Sequence, residues 1–176
     1  MAPRRDTPRL IALDFQPDLR IVDFNEDRAG AFHDINAQWI QSMFVLEQTD
    51  RDVLENPRAH IIDPGGAILF VEAEGLGIVG TCALQKTGPG QFELTKMGVL
   101  DSARGRGAGR FLLLAMIARA KALDAGLLYL LTSSKCETAI RLYEAAGFRH
   151  DADVMRQFGA RYARCDVAMR YSAPAG

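Results

Sequence analysis

Residues 92–133 constrain the fold more than any other part of the chain. A run with strand character, "FELTKMGVL" (92–100), enters a glycine-rich loop, a helix at 108–124 and then "LLYLLTS" (127–133). That last run is nearly continuous in apolar residues, as expected of a strand buried on both faces. Strands joined through a helix pair in parallel, and the crossover between them is right-handed. The centre of the molecule is therefore expected to be a sheet with a parallel pair.

The flanking sequence completes an α+β pattern. "LRIVDF" (19–24) reads as a first strand, and 26–44 as a helix carrying Phe32, Ile35, Trp39 and Met43 at spacings of three and four. A shorter helix follows, capped by Thr49 or Asp50 and ended at Pro57. "AILFVEAEG" and "GIVGTCALQK" read as a hairpin through Gly75-Leu76-Gly77, and "PGQ" (89–91) as the next turn. The helix at 108–124 is ended by Gly126. Another helix opens with Ser134 and Glu137 at capping-box spacing and stops at Gly147. "FRHDADVM" (148–155) and "ARYARCDVAMRY" (160–171) read as closing strands. This predicts a flexible tail over 1–18 and a single domain over 19–176, with a mixed sheet.

Composition excludes several function classes. The 176 residues suit one domain, and a net charge of −1 argues against general nucleic-acid binding. The longest apolar run, "FLLLAMIA" (111–118), is too short to cross a bilayer, and the N-terminal stretch lacks the apolar core of a signal peptide. Cys82, Cys136 and Cys165 are scattered without CxxC spacing, so neither a disulfide framework nor a zinc site is expected. Reduced thiols in a cytoplasmic protein are the expectation.

The loop "ARGRGAGRFLL" (103–113) carries the chemistry. Glycines allow backbone to approach a ligand closely, and a helix start presents N–H groups and a favourable dipole to an anion. Arg104, Arg106 and Arg110 add positive charge. The combination suits a phosphate or pyrophosphate. It is not a Walker loop, because Gly109-Arg110-Phe111 lacks the GK[ST] ending. It is not a dinucleotide fingerprint either, because the last glycine position is Arg110 and no acidic residue ends a strand near 130.

Arg104-x-x-Gly107-x-Gly109, after a strand ending in Val99, resembles the acyl-CoA pyrophosphate loop of the GCN5-related N-acetyltransferase (GNAT) superfamily. "AIRLYEAAGF" (139–148) is similar to a later motif of that family. The likeness follows the element order from about 19 to 171 and is specific over about 92–148. It implies a GNAT-like α+β fold: a mixed sheet of about seven strands, splayed in the middle, flanked by about four helices.

The resemblance also implies a site. Acetyl-CoA would lie between strands 92–100 and 127–133, its pyrophosphate on the backbone of Arg104, Gly105, Arg106, Gly107, Ala108, Gly109 and Arg110. Backbone groups of Met97, Gly98 and Val99 would pair with the pantetheine arm and polarise the thioester carbonyl. Gly98 itself reads as a bulge or a close backbone approach within its strand. Tyr143 stands at the family's general-acid position, where a phenol could protonate the departing thiolate. Glu93 stands where several relatives carry a base acting through water, with Glu72, Glu47 and His33 as alternatives. Trp39, Glu47 and Tyr162, with Phe44 and Phe158, are plausible lining for an amine acceptor. That acceptor is expected to be a small molecule, with a protein amine as the other possibility. Nucleic acid and membrane are not expected as partners, and relatives are often dimers.

Cys136 departs from the family, which often has asparagine there to bond the pantetheine or sulfur region. A thiol is a poor donor and acceptor, so Ser134 or Ser133 would have to substitute. The departure leaves open a non-catalytic acyl-CoA-binding module on the same fold. It also raises a covalent route through the Cys136 thiol. Direct transfer predicts that Cys136→Ala keeps most of the turnover in a thiol-release assay, and that result would end the covalent route.

Overall fold

A computed structural model describes residues 18–173, so the expected tail over 1–18 lies outside the described residues except for Asp18. Strands β1 (Leu19–Asp23), β2 (Ala67–Ala73), β3 (Gly77–Gly88) and β4 (Gln91–Val99) form an antiparallel meander. β4 pairs in parallel with β5 (Leu127–Thr132), across helix α3 (Ala108–Ala122). β5 then pairs with β7 (Val167–Tyr171), and β7 with β6 (Phe148–His150), both antiparallel. The seven strands form one mixed sheet in the order β1-β2-β3-β4-β5-β7-β6.

The two sheet faces have separate cores. Phe92, Leu94, Leu128 and Leu130 point into the larger one, beneath α3 and α4 (Glu137–Ala146). On the opposite face α1 (Ala29–Met43) and α2 (Gln48–Glu55) cover β2 and β3 through Phe32, Val53, Ile68 and Phe70. Further along that face α5 (Ala152–Phe158) lays Phe158 flat on Tyr129, ring centroids 4.1 Å apart. β5 is therefore buried on both sides, which is why its sequence does not alternate.

The helix ends differ from expectation in instructive ways. α2 begins at Gln48 because Glu47 is its N-cap, in a reciprocal capping box with Asp50. α3 stops at Ala122, and Asp124 rather than Gly126 takes the left-handed position after it. The expected Ser134–Glu137 capping box is absent. Cys136 is the N-cap of α4, and Ser134 is bonded to Asp166 through its backbone N–H and its hydroxyl, both at 2.7 Å. Residues 148–155 and 160–171 are only partly extended. Asp151 caps α5 by accepting the Val154 N–H at 2.9 Å, and a short 3₁₀ turn over 159–161 follows. Val154 and Phe158 lie four apart within α5, and the Asp151 cap turns this stretch into a helix rather than a strand. The stripe of α1 also turns: Phe32, Ile35 and Ile40 are buried, whereas Met43 is exposed. Among the described residues no helix is long and apolar enough to cross a membrane.

One tight passage joins the faces. Gly66 donates its N–H to Ile61 O at 2.8 Å, and a Cβ there would lie 2.1 Å from Leu84 O and 2.7 Å from Ile61 O. Both are backbone atoms within rigid elements. Gly66→Ala is therefore expected to cost about 2 kcal/mol or more. The check is a lower urea midpoint with an unchanged slope; an unchanged midpoint would contradict the close approach.

Candidate functional site

The glycine-rich loop projects from the end of β4. Ala103 is buried and fixes its base, whereas Arg104, Gly105, Arg106 and Gly107 are exposed. Gly105 and Gly107 have φ of 79° and 76°, a region L side chains rarely adopt. Gly107 is the N-cap of α3, and among the described residues no side chain caps that helix. The first N–H groups of the helix have no acceptor within it, so Ala108, Gly109 and Arg110 present donors at the positive end of a helix dipole. Gly109 sits close to Leu142, Met97 and Val99, which presses the helix start against β4 and α4. The Arg104 side chain pairs with Asp101 at 2.9 Å and Arg106 lies 3.9 Å from Asp18, while Arg110 is exposed in the first helical turn.

β4 and β5 part next to this loop, and the cleft is the gap between them. The β4–β5 ladder runs from Gln91–Leu127 to Leu94–Leu130 and goes no further. Beyond it β5 continues with β7, and β4 continues with β3. Between the pairs Ala83–Thr95 and Thr81–Gly98 the β3 ladder skips a residue more on β4, which places a bulge at Lys96–Met97. Lys96 adopts φ 52°, costing on the order of 1–2 kcal/mol for a residue with a side chain. The bulge therefore precedes Gly98. Gly98 is instead the close approach: a Cβ there would lie 2.5 Å from Trp39 Cδ1 and 3.1 Å from Ile35 Cγ2. Trp39 is half-buried over the strand and donates its Nε1–H to Asn36 Oδ1 at 2.9 Å.

α4 brings Tyr143 into the larger core, edge-on to Phe148 with centroids 5.9 Å apart. Burial pushes its phenol well above the ordinary tyrosine range, and negative charge on the Cys82 or Cys136 thiol would push the same way. The hydroxyl thus keeps its proton at neutral pH. Cys136 is half-buried at the start of the same helix.

Opposite α4, on the α1–α2–α5 face, is a buried polar cluster. Glu93 lies beside Tyr129 in the β4–β5 register and is fully buried. Its Oε2 accepts from Tyr162 Oη at 3.3 Å, its Oε1 has no hydrogen-bond partner among the described residues, and Arg161 Nε stands 3.9 Å from that oxygen. Burial raises the Glu93 carboxyl above its usual range, and Arg161, Lys96 and hydrogen bonds from Tyr162 and Thr95 oppose the rise. Tyr162 Oη also accepts from Lys96 Nζ at 3.2 Å. Lys96 Nζ lies 3.0 Å from Asp50 Oδ1, and Arg164 grips Asp50 with two hydrogen bonds of 2.7 and 2.8 Å. Burial pushes Asp50 up, but the Arg164 bonds, the Lys96 charge and the Glu47 N–H outweigh it and bring the carboxyl down to about 2.

The structure thus brings Met97, Gly98, Val99 and Trp39 to one end of the cleft, with the loop beside it, and Glu93 with Tyr162 beneath the closing segment. Glu47 is already engaged: it caps α2 and binds Ala163 N and Arg164 Nη1 at 2.9 and 3.0 Å. Ser134 is likewise held by Asp166. Glu72 pairs with Arg20 across β1–β2, and His33 sits on α1 with Asp34, so neither joins the cluster. Phe44 lies beside Lys135 and Arg164, and Phe158 belongs to the α5 core. Sequence reasoning missed Asp50, Lys96, Arg161 and Arg164 as partners. The one signal for them was a lysine inside an apolar strand.

A family model described as the acetyltransferase (GNAT) family matches residues 31–148. No curated protein matches the sequence. An acetyltransferase of the GNAT family from Staphylococcus aureus Mu50 has a similar structure, with TM-score 0.77 and 22% identity over 87% of this chain and 98% of that one. A Bacillus subtilis acetyltransferase in complex with CoA gives 0.65 and 22% over 88% and 98%. Spermidine N-acetyltransferase from Vibrio cholerae, in complex with CoA and spermine, gives 0.65 and 19% over 89% and 95%.

The Asp50 cluster predicts an acid-sensitive fold. A carboxyl held at about 2 when folded, against 3.8 ordinarily, stabilises the fold above about pH 4 and loses that contribution as pH falls through 2. Urea unfolding of the native protein at pH 5 and pH 2 is expected to differ by about 2 kcal/mol more than that of Asp50→Asn. Equal differences would contradict the pairing.

Proposed function

The chain belongs to the acetyltransferase (GNAT) family, and from that premise we propose that it transfers the acetyl group of acetyl-CoA directly to a primary amine. The observation that carries the reading is the uncapped, glycine-led start of α3 beside the point where β4 and β5 part. The residues fit the co-substrate. Two left-handed glycines and the positive end of the α3 dipole make a cradle for a pyrophosphate, and a side chain at Gly105 or Gly107 would strain it. Acetyl-CoA supplies the acyl group, and CoA leaves as a thiolate.

Each residue then has a task in this reading. The loop from Arg104 to Arg110 holds the pyrophosphate, with arginine side chains as auxiliary charge. Backbone groups of Met97, Gly98 and Val99, beyond the end of the β5 ladder, align the pantetheine arm and polarise the carbonyl. Tyr143 holds the proton for the thiolate as general acid, and its burial supports that protonation state. Glu93, through water at its unpartnered Oε1, takes the proton of the attacking amine. Trp39 and Tyr162 border the acceptor side. The acceptor favoured is a small-molecule amine. Spermidine acetylation by a structural neighbour shows that such chemistry suits the fold, although here Asp50 and Glu47 are both engaged by Arg164.

The test is calorimetric titration with acetyl-CoA, followed by thiol release over an amine panel. One-site binding is expected in the native protein and its loss in the Arg104→Ala, Gly107→Asp double variant. Tyr143→Phe should bind normally and lose about 10²-fold in kcat. Binding without turnover on any amine would favour the acyl-CoA-binding module.

A further inference from the structure

We propose that Lys96 is a positioning residue, whose buried ion pair with Asp50 holds the left-handed bulge of β4 that leaves Met97 without a register partner on either neighbouring strand. The use of the Met97 amide on an acyl carbonyl rests on the acyltransferase reading, whereas the anchoring itself does not.

The backbone gives the first reason. Among the described residues only Lys96 and Asp124 adopt positive φ without being glycine, and Asp124 merely ends a helix. A bulge in the middle of a strand usually takes glycine for this conformation. Here glycine stands two residues later, where Trp39 needs the space, and the bulge itself is a lysine. A residue with a side chain persists in that region when its surroundings determine it.

The surroundings supply that determination. The Lys96 side chain is 2% exposed and its partner Asp50 is fully buried, with Nζ 3.0 Å from Oδ1. Tyr162 adds its hydroxyl at 3.2 Å and its ring face at 4.7 Å from centroid to Nζ. Asp50 is itself immobile, because Arg164 binds both its oxygens and Oδ2 accepts the Glu47 N–H at 3.0 Å. The anchor therefore belongs to α2 and the segment before β7, not to the sheet. Its ion pair reaches the strand at residue 96, one position before Met97, which the register shift leaves without a partner on either neighbouring strand. A shorter or uncharged side chain leaves nothing to hold the backbone in the left-handed region, and the strand can relax towards regular pairing. Asp50 retains Arg164 in such a variant, so no buried carboxylate is left without a cation.

The experiment compares native protein with Lys96→Met by backbone NMR shifts at 95–98, acetyl-CoA calorimetry and turnover. The expected result is loss of the left-handed shift pattern at 96, a Kd for acetyl-CoA within threefold of native, and kcat at least tenfold lower. A merely structural lysine would lower thermal stability and leave the kcat of folded protein unchanged. Left-handed shifts retained in Lys96→Met, or kcat within twofold of native, would overturn the proposal. Should that variant not fold, Lys96→Gln is read by the same shifts and the same kcat limits. Should the native protein acetylate no amine, the acyltransferase reading fails. The shifts then decide the anchoring alone, their loss supporting it and their retention overturning it.

Discussion

β4 is bordered on both edges for only part of its length. Its first part pairs with β3 on one edge and β5 on the other; after Leu94 it keeps β3 alone, while β5 stays paired with β7 on its far edge through Thr132. A sheet that parts in this way exposes backbone polar groups in its interior, where an unpaired group is costly. The arrangement makes sense for a strand that is completed by a ligand rather than by protein. Nearly every feature of the site is placed by this parting. The start of α3 lies beside Met97 and Val99, and Tyr143 of α4 shares the core those residues pack against.

The two faces of the sheet answer the parting differently. On the α3–α4 face packing is apolar, and the buried phenol of Tyr143 stays neutral because burial disfavours its anion. On the α1–α2–α5 face, charged side chains are buried together, and Asp50 stays ionised because Arg164 and Lys96 compensate it. Glu93 stands between these regimes. It is as buried as Tyr143 but lies within reach of cations, with one oxygen bonded and the other not. Burial raises that carboxyl above its usual range, and Arg161 and Lys96 oppose the rise.

Much of this was legible in the sequence, because local rules and global fold agreed there. The apolar run of β5, the glycines at 105 and 107 and the stop at Gly147 each answer to one short-range physical need. What was not legible depended on partners far apart in the chain. Asp50 and Arg164 are separated by 114 positions, so neither could be read as half of an ion pair. Ser134 has the spacing of a cap, but Asp166 offers it a better acceptor from another loop. α5 was hidden for a different reason: so short a run of seven residues fits a strand as readily as a helix, and the stacking of Phe158 on Tyr129 goes with the helix. The bulge was expected at the glycine, where the backbone is most permissive. It occurs instead at a lysine that the surrounding charges hold.

Trp39 meets β4 where Gly98 has no side chain, and the fit is too close for even a methyl group. The strand has thus ceded its own surface at that point to a helix from the far end of the fold. The wall of the cleft there is an indole, and its position follows α1 rather than the sheet. For redesign, the two residues form a single unit with opposite tolerances. The strand side admits no enlargement, whereas trimming the helix side would open room without disturbing the sheet. A protein engineer seeking to widen the space beside β4 would begin at position 39 and leave position 98 alone.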